Sequence, residues 1–127
     1  MITEDYCSPE VAKLLDKKGF REYCEAIYFI LENGDYRWSK IDIPIRDCST
    51  CKPAAILCPT HQMAMKFLRK KDVIIVIQPE YFNAESKCSA WGCDIWVNDN
   101  YKKVQGDFPS FEEAVNAALK YSLENLI

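Results

Sequence analysis

Histidine is nearly absent from this sequence, neither sign of charge dominates, and no hydrophobic run is long. With His61 as the single histidine, any Cys–His or Ser–His dyad must use it as the base. Sixteen lysines and arginines against 19 aspartates and glutamates leave a net charge of −3. That balance creates no global field to recruit nucleic acid or anionic lipid. The longest apolar runs, residues 26–31 and 73–77, fall far short of the roughly 20 residues that cross a bilayer. The opening MITEDYCSPE carries acids and lacks a hydrophobic segment, so it does not read as a secretory leader. Internal repeats, linkers and low-complexity segments are missing as well.

What is present is a chain of 127 residues, expected to form a single α+β domain over residues 1–127 with a core that needs no metal or disulfide staple. Seven cysteines are many for this length. An odd count without an export signal predicts free thiols in a reducing cytoplasm.

Three helices are marked by their ends. Ser8-Pro9-Glu10 supplies a cap, a proline at the first helical position and an acid in the first turn. Val11, Leu14 and Leu15 form the inner face, and Gly19 stops the helix with Phe20 placed to fold back. Thr60 caps a second helix whose face is Met63, Ala64, Phe67 and Leu68, with Lys66, Arg69, Lys70 and Lys71 at its basic end. Ser110-Phe111-Glu112-Glu113 is a capping box that opens a final helix over residues 110–125. Its inner stripe is Ala114, Val115, Ala118, Leu119, Ser122 and Leu126.

The strands are marked by β-branched runs and turn residues. CEAIYFIL, from Cys24, is apolar on both faces, and Asn33-Gly34 predicts a hairpin to residues 36–39. IDIPI alternates like a strand, but Pro44 confines it to an edge or an extended loop. Residues 47–59 read as an irregular connection. VIIVI, from Val73, is stiff and apolar on both faces, so it is expected to be covered on both sides. Residues 82–90 look like a loop, WGCDIWV from Trp91 is a strand, and Asn98-Asp99-Asn100 turns it toward a return strand near residues 101–104.

The predicted order is α-β-β-α-β-β-β-α. It makes a two-layer α+β fold, with a mainly antiparallel sheet of about four to five strands packed by three helices. Strands apolar on two faces exceed what three helices on one face cover. Self-association as a homodimer is therefore expected, with Trp96 the aromatic best placed to contribute.

Three segments in the same order, SPEVAKLLDKKGF, PTHQMAMKFLRK and SFEEAVNAALKYSLENLI, resemble a family of small uncharacterised proteins encoded by gut bacteria and their phages and prophages. The resemblance covers nearly the whole chain. It implies an accessory protein carried on mobile DNA, and it carries no catalytic residue or cofactor with it.

Among chemical constellations, Cys48-x2-Cys51-x6-Cys58-x2-His61 has ligand types suited to tetrahedral zinc, although the middle spacing is short for two knuckles. The plainer reading is a thiol-rich loop with no metal and with His61 merely exposed at a helix start. CSTC does not open a helix as a thioredoxin-type pair does, because Lys52-Pro53 follows it. Cys58 and His61 could form a thiol dyad, but no orienting third residue or oxyanion hole accompanies them. From Pro59 onward the order α-β-β-β-α matches a double-stranded-RNA-binding domain. However, Glu112 and Glu113 stand where phosphate-gripping lysines are needed.

The expectation is therefore a non-enzymatic cytoplasmic accessory protein acting through an unidentified protein partner. It is expected to have no catalytic or cofactor-binding residue, no cofactor, no nucleic acid and no membrane contact. A zinc-stabilised binding module built on Cys48, Cys51, Cys58 and His61 is the alternative, and a thiol enzyme comes third.

Overall fold

The computed structural model describes residues 5–45 and 55–127. The fold is α+β, with three helices and antiparallel strands. It divides into two compact units, Met1–Ala64 and Met65–Ile127.

In the first unit, helix α1 (Pro9–Lys17) begins and ends as its sequence dictates. The Ser8 hydroxyl accepts from the Val11 N–H at 3.3 Å, and Pro9 occupies the first turn, where no intrahelical donor is needed. Gly19 takes φ +89°, which turns the chain so that the Phe20 N–H returns to the Leu15 carbonyl at 3.0 Å. Strands β1 (Cys24–Ile30) and β2 (Tyr36–Ile45) form the Asn33-Gly34 hairpin, with Ile30 opposite Tyr36 and Tyr28 opposite Trp38. β2 is an edge strand, the position its proline requires. A short strand β3 (Ala55–Leu57) pairs with the other side of β1, placing Leu57 opposite Ile27. The ladder continues past it, because the Cys58 N–H donates to the Ala26 carbonyl at 3.0 Å.

Residues 5–7 run antiparallel to the segment that leads into helix α2 (His61–Arg69). The Cys7 N–H reaches Pro59 O at 3.0 Å, Tyr6 bridges Thr60, and the His61 N–H reaches Asp5 O at 2.9 Å. Ala12, Ala26, Tyr28, Ile56 and Cys58 form a buried cluster, with Tyr6, Ile30 and Tyr36 packed against it. Ile27 and Leu57, on the opposite face of the sheet, are buried too. β1 is thus covered on both sides, as its composition demands.

The second unit holds β4 (Val73–Phe82), β5 (Cys88–Val97), β6 (Asn100–Phe108) and α3 (Phe111–Asn125) in a meander of order β4-β5-β6. Asn98 and Asp99 both have positive φ, the requirement of a two-residue hairpin between Val97 and Asn100. Ser110 caps α3 by accepting from the Glu113 N–H at 3.1 Å. α3 packs across all three strands and buries Ala114, Val115, Ala118, Leu119, Ser122 and Leu123. Val73, Ile75, Cys93 and Ile95 form the matching buried face of the sheet. Each aliphatic side chain buried there stabilises the unit by about 1.5–3 kcal/mol.

Four expectations need correction. Among the described residues, the strands do not join one sheet but divide between two antiparallel sheets. The connection over residues 47–59 contains β3, three residues too short to show any periodicity. The loop expected over residues 82–90 is shorter than that, residues 83–87, since β4 runs to Phe82 and β5 begins at Cys88 around a turn that the Asn83 side chain ties. Finally, β4 is not covered on both sides: its alternate residues Ile74 and Val76 are exposed.

Candidate functional site

Of the residues nominated as zinc ligands or as a thiol dyad, Cys48 and Cys51 lie outside the described residues, whereas Cys58 and His61 are both buried. Cys58 follows β3 directly, and its thiol donates to the Cys7 carbonyl at 3.6 Å. The same carbonyl accepts the Tyr28 hydroxyl at 2.6 Å. The Cys7 thiol in turn lies 3.8 Å from Thr60 O, so pairing of residues 5–7 with residues 59–61 gathers these groups. Burial pushes the Cys58 thiol up to about 11, more than its contacts with Tyr28 and Trp38 bring it down. Cys7 rises further, through burial first and then the neighbouring Cys58 and Cys24. These are the conditions of packed, protonated thiols, not of an activated nucleophile. Among the described residues, no three Cys, His, Asp or Glu side chains are placed to hold a metal ion.

Next to Cys58 lies an open pocket of about 320 Å3, lined also by Tyr6, Tyr23, Glu25, Thr60, Gln62 and Met63. Tyr6 meets Trp38 edge to face, ring centroids 5.2 Å apart, and Tyr28 meets Tyr36 at 6.1 Å. Sequence reasoning missed this pocket because its walls come from three separate segments.

The second unit presents a different surface. On the sheet face opposite α3, Ile74 is 49% exposed, Val76 43%, Trp96 42% and Tyr101 47%. The register sets Ile74, Trp96 and Tyr101 side by side across the three strands. The Trp96 and Tyr101 rings lie 5.2 Å apart. Asp94 borders them, accepting the Tyr101 hydroxyl at 2.6 Å and the Gln78 amide at 2.9 Å. That hydrogen bond is the main reason the Tyr101 phenol titrates above its ordinary range. At one end, Ile74 and Trp96 join Arg69, Asp72, Asn98 and Asp99 around a shallow recess of about 490 Å3. Such a surface, apolar at its centre and polar at its rim, has the composition of a contact face.

A third arrangement lies at the other end of this sheet. Glu80 is the extra residue of a bulge, since Pro79 pairs with Trp91 and Tyr81 with Ala90. Its carboxylate lies over Gly92 and Gly106, where a side chain at either position would overlap it. It also accepts the Asp107 N–H at 3.2 Å, holding Asp107 at φ +64°. The sequence signal was there in two isolated strand glycines, which mark a close approach. Nearby, the Cys93 thiol is pushed up to about 11 by burial first and then by Asp94 and Glu80.

No protein-family model, curated protein or solved structure matches this chain.

Proposed function

We propose that this chain is a non-enzymatic accessory protein that works by protein–protein contact through the open face of the β4–β5–β6 sheet. The observation that supports this reading is the row Ile74, Trp96 and Tyr101 with Val76 beside it, all close to half exposed on a face that α3 does not cover. Apolar side chains gathered in this way on a sheet gain free energy only when something removes them from water. Trp and Tyr are also the residue types that anchor interfaces. A second copy of the chain is the occupant we favour, meeting this face with its own.

Several features agree with a role without catalysis. The Cys7 and Cys58 thiols are buried and hard to ionise. The start of α3 carries Glu112 and Glu113, which would repel a phosphate backbone. The five described cysteines are free, which suits a reducing cytoplasm. The three-segment resemblance to proteins of gut bacteria and their phages and prophages suggests carriage on mobile DNA.

Sedimentation velocity over a wide concentration range tests the reading. Self-association is expected in the native chain and lost in the Ile74→Lys, Trp96→Glu double variant, with unfolding temperature little changed because both positions are exposed. A monomer at every concentration would exclude a second copy as the occupant. A photo-crosslinking residue placed at position 96 that captured no protein in cells, while one at Lys87 behaved alike, would remove the face itself from consideration.

A further inference from the structure

We propose that the open pocket of the first unit binds a small alkylammonium group, either free or as the methylated end of a lysine side chain. The pocket is lined by Tyr6, Tyr23, Glu25, Thr60, Gln62 and Met63, with the Cys58 position at its inner side. Its volume of about 320 Å3 sits at the small end of the range for ligand cavities, roughly 300–1,000 Å3. Two phenol rings and a thioether offer polarisable, electron-rich walls, the environment in which methylated ammonium groups are held.

The charge of the lining points the same way. Glu25 is the single ionised side chain among the lining residues, and no lysine or arginine contributes to the wall. The β1–β2 register shifts around Glu25: Cys24 pairs with Ile45 and Ala26 with Lys40, so the extra residues lie on β2 and Glu25 has no partner opposite it. Among the described residues, no ion pair engages the Glu25 carboxylate.

The opposite choice, an anion at the start of α2, is closed off by the helix's own bonding. The His61 N–H donates to Asp5 O, the Met63 N–H to the Thr60 hydroxyl and the Ala64 N–H to Thr60 O. With three of its first four donors committed in this way, the helix start gives little to a phosphate or carboxylate. The Glu25 carboxylate, the one charge among the lining residues, then sets the preference of the pocket.

Titration followed by amide NMR, with choline as the probe, tests the proposal. Choline is expected to shift the amides of residues 23–25 and 60–63. Its neutral carbon isostere, dimethylbutanol, should bind far more weakly. Glu25→Gln and Tyr23→Leu each change an exposed side chain and should leave the fold intact. Loss of one ring or of the charge should weaken choline binding about two- to fivefold. A peptide carrying trimethyllysine, titrated beside free choline, identifies the source: the tighter of the two is the natural ligand form. Equal binding of choline and dimethylbutanol, unaltered affinity in Glu25→Gln, or no shift of these amides with either probe would overturn the assignment.

Discussion

Replacing Ser122 by alanine should stabilise this protein, although it deletes a polar atom from the buried face of a helix, in its last turn. Ser122 is fully buried in α3, on the stripe with Ala118, Leu119 and Leu123. Among the described residues, its hydroxyl finds no hydrogen-bond partner. A buried hydroxyl left in that condition costs about 1–3 kcal/mol relative to water. Alanine removes that cost and is a better helix former by a few tenths of a kcal/mol up to about 0.7. The opposing loss is small, because one oxygen leaves a void smaller than a methylene does, against about 0.8 kcal/mol for a buried CH2. The balance is a gain of about 1 kcal/mol, which for a chain of this size raises the unfolding temperature by about 3–5 °C. Thermal unfolding followed by circular dichroism measures it directly. A temperature that stayed level or fell would show that the hydroxyl bonds back to the carbonyl four residues earlier, the usual local partner of a helical serine.

Ala118→Asp, one turn earlier on the same buried stripe, should have the opposite sign and leave the second unit unfolded, because it places a carboxylate where water is shut out; a native circular dichroism spectrum would refute that burial. Gly106→Ala should displace the Glu80 carboxylate from the Asp107 N–H and cost about 1–2 kcal/mol. In a Glu80→Ala background the same change should cost clearly less, and additive losses would show that the two residues do not interact. The Cys58 and Cys93 thiols are raised from the ordinary 9.0 to about 11, so the unfolded chain loses these protons first. Stability is therefore full below about pH 9 and falls as the pH rises toward 11. Denaturant unfolding at several pH values checks this, and Cys58→Ser, Cys93→Ser should flatten the fall.

The elements that could be read from the sequence are those defined by chemistry within a few residues. Ser8-Pro9, Gly19, Asn33-Gly34, Asn98-Asp99 and Ser110 each act through their own backbone or the next turn, and each does in the structure what its type demands. The failures are equally physical. β3 is held by pairing with β1 and by the ladder bond from Cys58 to Ala26, neither of which leaves a trace in three consecutive apolar residues. The extension of β4 through Pro79 relies on the Glu80 bulge, where the extra residue absorbs the break in register that proline would otherwise impose. Division of the strands between two sheets follows from which strands pair. Hydrophobic alternation reports faces, not neighbours.

The two candidate surfaces differ in what the sequence could say of them. The pocket needs Tyr6, Glu25 and Thr60 together, and only the pairing of residues 5–7 with residues 59–61 brings such distant positions to one place. Each residue alone is ordinary, so no local pattern could have assembled it. The open sheet face was half legible. Val73, Ile75 and Ile77 alternate with Ile74 and Val76, and that double stripe demands cover twice. β1 carries the same demand and meets it, since Ile27 and Tyr28 are both buried. β4 meets it once, with Val73 and Ile75 buried and Ile74 and Val76 in water. A sequence normally agrees with its fold at every level, and the places where it does not are where function leaves its mark. An apolar stripe left about half in water is retained at a cost in solubility. On the function proposed above, removal from water by a partner would offset this cost, and the disagreement at β4 then carries more functional weight than the cysteine spacing.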